Sequence, residues 1–116
     1  MKKVNILGAT YKVYLNVPCS KDPLLTGLFG YTSFTDKKIV VADIRTVPGW
    51  EDCSDESAID TFACTARHEV IHAYLMESGL HGSSAAVEHW ATNEEMVDWF
   101  AIQMPKLVKT FCELGV

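Results

Sequence analysis

Apolar and polar positions change their spacing about halfway along the chain. Tyr11-Lys12-Val13-Tyr14-Leu15-Asn16-Val17 alternates large apolar residues with others, the period of two expected when one face of a strand is buried. Pro18 to Pro23 is turn material. Leu28 to Phe34 forms a second candidate strand, and the β-branched run Lys38 to Ile44 a third. Thr35-Asp36-Lys37 between them fits a turn, so these two predict an antiparallel hairpin. Val47 to Ser54, with Pro48 and Gly49, reads as a loop.

Beyond residue 54 the pattern becomes helical. Ser54, Asp55 and Ser57 offer N-caps for a helix running to about Ser78, where Gly79 and Gly82 are stop signals. At about 100° per residue, Ile59, Phe62, Ala66, Val70 and Ala73 form one apolar arc, and Thr61, Cys64, His68, His72 and Leu75 form another. A helix with so little polar surface is expected to be central and buried. A second helix is expected over some or all of Ser84 to Met104. Pro105 should end or kink it, with Lys106 to Leu114 as a short final helix. Strands followed by helices predict an α+β fold. The expected architecture is one domain over residues 1–116, strand-rich over 1–47 and helical over 54–114, with an antiparallel sheet packed on the central helix.

Composition narrows the class. A chain of 116 residues is long enough to bury roughly two-thirds of its unfolded surface, and 48% apolar residues lie far from the disordered range. A net charge of -5, without basic clusters, argues against a general grip on nucleic acid or on an anionic membrane. No apolar run suits a signal peptide or a membrane span, so a cytoplasmic protein is expected. Cys19, Cys53, Cys64 and Cys112 show no close pairing and are expected to be free thiols.

The chemistry is concentrated in Arg67-His68-Glu69-Val70-Ile71-His72, which contains H-E-x-x-H. On a helix, residues four apart lie one turn apart on one face, so both imidazoles can reach a single zinc ion. Glu69 projects about 100° around from His68, beside the metal, where it can serve as general base toward a water polarised by the metal. The plainer reading is a pair of core histidines hydrogen-bonded to carbonyls or water. Against it, two histidines and a glutamate on an otherwise apolar helix all need partners, and one metal ion satisfies them together.

A catalytic zinc needs a third protein ligand. Glu94 and Asp98, four apart, face one side of the second helix. Glu94 is the expected ligand, and Asp98 can accept the Nδ1 proton of a ligand histidine. Glu95 competes for the ligand role, although it also fits a capping box with Thr92. Either glutamate could instead be an acidic first turn favoured by the helix dipole.

H-E-x-x-H followed by N-E-x-x-V-D resembles the thermolysin-type gluzincin pattern. Glu94-Glu95-Met96-Val97-Asp98-Trp99-Phe100-Ala101 also resembles the E-x-x-A-[ND]-x-F-A segment of ImmA/IrrE-like peptidases, including small phage-encoded members. The resemblance covers about residues 67–104, and Val97 departs from it, standing where either pattern has a small residue. It implies a zinc metallopeptidase acting on a peptide or protein, with His68, His72 and Glu94 as ligands, Glu69 as general base and Asp98 supporting a histidine. It also suggests that Lys38 to Ile44 is an exposed edge strand able to pair with a peptide substrate. A different class of function is a zinc-containing regulatory module that binds a protein partner without cutting it, although a base at Glu69 has no use there.

Secondary candidates are weaker. Cys64 shares the face of His68 but reads as an inert buried thiol. His81 and His89 fall in or beside the inter-helix loop, where one could assist an oxyanion or simply face solvent. Tyr74 points away from His72, and Trp90, Trp99 and Phe100 read as packing.

Overall fold

The structure is a computed structural model that describes residues 1–79 and 92–115. It is α+β. Among the described residues four strands, β1 (Lys2–Ile6), β2 (Ala9–Val17), β3 (Gly30–Ser33) and β4 (Lys38–Ala42), precede two helices, α1 (Asp55–Glu77) and α2 (Glu94–Leu114). The expected helix start at Ser84 lies outside the described residues, as do His81, His89 and Trp90. Among the described residues no helix is long and apolar enough to cross a membrane.

The sheet is mixed, in the order β1-β2-β4-β3. β1 and β2 form a hairpin across Leu7 and Gly8, both at positive φ (49° and 94°), as a two-residue turn between right-twisted strands requires. β3 and β4 form the expected antiparallel hairpin, with Tyr31 opposite Val40. β2 and β4 run parallel, which corrects the all-antiparallel expectation. β4 is therefore an internal strand, bonded to β2 on one side and β3 on the other, and has no free edge for a peptide. Among the described residues the sheet ends at β1 and β3.

Each face of β4 is covered. Ile39 and Val41 join Ile6, Tyr11 and Val13 under Phe62, Ala66, Val70 and Ala73 of α1, the apolar arc expected of that helix. Ile59, assigned to the same arc, is instead 65% exposed and does not join this cluster. Val40 and Ala42 face the other way, against Leu25, Val47, Phe29 and Trp50 from the connecting loops. Removing one such side chain from water contributes about 1.5–3 kcal/mol.

α1 is held at both ends. Ser54 caps its start by accepting from the Ser57 N–H at 3.1 Å, and Arg45 pairs with Asp55 in the first turn. At its far end Glu77 accepts from the buried Tyr11 hydroxyl at 2.8 Å and from Lys37. A carboxylate is unfavourable at a helix C-terminus, and Lys37 offsets it. Hydrogen bonding to Lys37 holds the Glu77 carboxyl below its ordinary value, and burial beside Glu77 pushes the Tyr11 phenol up.

α2 packs on α1 with Val97 and Ala101 fully buried. It runs through Pro105 as one helix, where a break or a separate final helix was expected. Its start is fixed by Asn93, whose Oδ1 accepts from the Met96 N–H at 3.0 Å and whose carbonyl accepts from Val97. Asn93 rather than Thr92 is the cap, so Glu95 sits outside the expected capping box.

Candidate metal centre

The cleft between β3, the cleft-facing side of α1 and the first turn of α2 has a volume of about 720 Å³. Gly30 makes the approach of β3 to α1 possible. A Cβ there would lie 2.8 Å from the Val40 carbonyl oxygen and 2.9 Å from the Thr65 methyl. Two residues on, Thr32 points to the same helix, and its hydroxyl lies 2.8 Å from both the carbonyl and Oε2 of Glu69. A glycine and a hydroxyl at alternate strand positions thus seat the sheet edge against Glu69.

His68 and His72 project from successive turns of α1, with their Nε2 atoms 2.9 Å apart. Glu94, at the rim, reaches both. Its Oε2 is 3.1 Å from His68 Nε2, and its Oε1 is 3.2 Å from His72 Nε2. On the other side of His68, Asp98 Oδ1 lies 2.7 Å from Nδ1. A proton on Nδ1, donated to Asp98, leaves the Nε2 lone pair directed at His72 and Glu94.

This geometry fits a metal ion. Ligands about 2.0–2.1 Å from a tetrahedral zinc stand roughly 3.3 Å from one another, close to the spacings here. The donor types, two imidazoles and a carboxylate, are those zinc accepts. His68, His72 and Glu94 are the group the structure brings together. Glu95 is turned away, beside Asn93, Met96 and Trp99. Cys64 lines the cleft one turn before His68 but does not join the group. Tyr74 and Trp99 are each about half exposed, and Trp99 packs edge-to-face on Phe100.

Glu69 is only 5% exposed. Burial pushes its carboxyl above the ordinary carboxylate range. The Thr32 hydroxyl and the charges of His68 and His72 partly oppose that rise, and Glu94 adds to it. Its side chain lines the same cleft as the donor cluster without belonging to it.

Two contributors were not singled out from the sequence. Gly30 carried a signal, since a glycine inside a strand pattern marks close backbone approach. Thr32 carried none, because its partner is 37 positions away.

Comparison with protein-family models, with curated proteins and with solved structures finds no match to this chain.

Proposed function

We propose that the protein is a zinc metallopeptidase that cleaves a peptide or protein substrate in the cleft beside β3. The observation that carries this reading is the convergence of His68 Nε2, His72 Nε2 and the Glu94 carboxylate on one point, with the buried Glu69 carboxylate alongside. Zinc held there would polarise the scissile carbonyl and acidify water.

The remaining steps belong to the chain's own residues. Glu69 takes one proton from the water that attacks the carbonyl carbon. It delivers that proton to the amine nitrogen as the C–N bond breaks. Thr32 holds the Glu69 carboxylate in place, and Asp98 holds the His68 ring. Among the described residues β3 has one strand neighbour, so its outer edge is available to pair with an extended peptide. Among the described residues the cleft lining includes Leu28, Phe29, Trp50 and Met76 but no lysine or arginine, which suits apolar substrate side chains over acidic ones.

The test is hydrolysis of a mixed peptide library by the full chain, with Glu69→Gln as control. Cleavage by the zinc-loaded wild type, reduced at least about a hundredfold by Glu69→Gln at unchanged zinc content, is the expected result. Zinc bound without cleavage of any peptide would contradict the peptidase reading and favour a binding module.

A further inference from the structure

Proline cannot donate a backbone hydrogen bond, so in a continuous helix the carbonyl four residues before it loses its partner. In α2 the proline is Pro105, and the carbonyl is that of the fully buried Ala101. The missing donor comes from another element. Arg67 Nε donates to the Ala101 carbonyl at 2.6 Å.

The position of this bond matters. Arg67 is the residue before His68 on α1. Ala101 lies three residues after Asp98 and seven after Glu94, on the same face of α2. Burial of Val97 on that face holds α2 against α1, but apolar burial is non-directional and does not fix how far a helix slides or turns. A charged donor on a single carbonyl does fix it.

We infer that Arg67 is a positioning residue for the metal centre: by capturing the carbonyl that Pro105 leaves unpaired, it sets α2 where Glu94 and Asp98 meet His68 and His72. The inference rests on the metal reading above. It assigns Pro105 a part as well, because a residue with an N–H at that position would close the helix on itself and remove the need for a donor from α1.

The experiment titrates zinc alone, against a competing chelator, into the full chain and into Arg67→Met, Pro105→Ala and the double variant. Thermal unfolding of each metal-free protein is measured alongside. Arg67→Met keeps the aliphatic stem but removes the donor. It is expected to lower the unfolding temperature and to weaken zinc binding about tenfold or more. Pro105→Ala alone should leave zinc binding within about threefold of wild type, because a carbonyl oxygen has two lone pairs and can keep Arg67. In the double variant the N–H at position 105 serves Ala101. Unfolding temperature should then recover, while zinc binding stays weak.

Recovery of both quantities would reduce Arg67 to satisfying a backbone group and overturn the inference. So would wild-type zinc affinity in Arg67→Met. If Arg67→Met does not fold, the double variant against Pro105→Ala carries the same comparison. A wild type that binds no zinc overturns the metal reading and this inference together, whereas a zinc-binding wild type with an indifferent Arg67→Met overturns this inference alone.

Discussion

The two flanks of α1 are built from one continuous stretch of sequence and do opposite things. Phe62, Ala66, Val70 and Ala73 lie on the sheet and are satisfied by shape alone. Thr61, Cys64, His68, Glu69, His72 and Met76 line the cleft, where His68, Glu69 and His72 depend on partners from elsewhere: Thr32 from β3, Glu94 and Asp98 from α2. The sheet flank sets where the helix lies. The cleft flank spends that rigidity on holding three polar side chains in an arrangement that an isolated helix would not maintain.

If the flanks are separable in this way, substitutions should affect one property and spare the other. The largest effect is expected under the sheet flank. Ile39 is fully buried, and Ile39→Ala should cost about 2–5 kcal/mol in denaturant unfolding. Zinc affinity of the molecules that remain folded should change little. A large loss of affinity at full folding would show that the core tunes the site directly. On the cleft flank, Asp98→Asn preserves shape but weakens the hold on the His68 ring. It should lower zinc affinity about 10–100-fold with little change in stability, measured by chelator competition and thermal unfolding.

A smaller effect concerns the far end of the helix. Glu77 is held below its ordinary carboxylate value by Lys37, so its contribution to stability is present above the unfolded value near 4.5 and is lost as the pH falls through the folded one. The stability gap between wild type and Glu77→Gln should therefore narrow as the pH is lowered from about 6 to about 3. A gap independent of pH would mean that the Tyr11 and Lys37 contacts act through shape, not charge. Zinc affinity near neutral pH should be equal in the two proteins.

How much of this was legible in the sequence follows from the range of the interactions. The helical spacing of His68, Glu69 and His72 is local and could be read directly, as could the α+β order and the β3–β4 hairpin. β1 was missed because its alternation is confined to Lys3-Val4-Asn5-Ile6, with only Ile6 buried, which is too short a run to betray a strand as β2 does. The parallel pairing of β2 with β4 joins segments separated by a whole hairpin arm, which no local pattern encodes. Pro105 was read by its local rule, as a break or kink. The helix runs on through it, and Arg67, 38 positions earlier in the chain, donates to the Ala101 carbonyl that the proline cannot serve. Glu94 rather than Glu95 joins the histidines although the capping box expected to occupy Glu95 is not formed: Asn93, not Thr92, caps α2, and it is Glu94 that stands on the face toward His68 and His72.

The most direct test of the account is metal content. Elemental analysis of protein purified without chelator, beside a His68→Ala, His72→Ala double variant, should give about one zinc per wild-type chain and none in the variant. A folded wild type that carries no metal and takes up none when zinc is added would contradict the central claim.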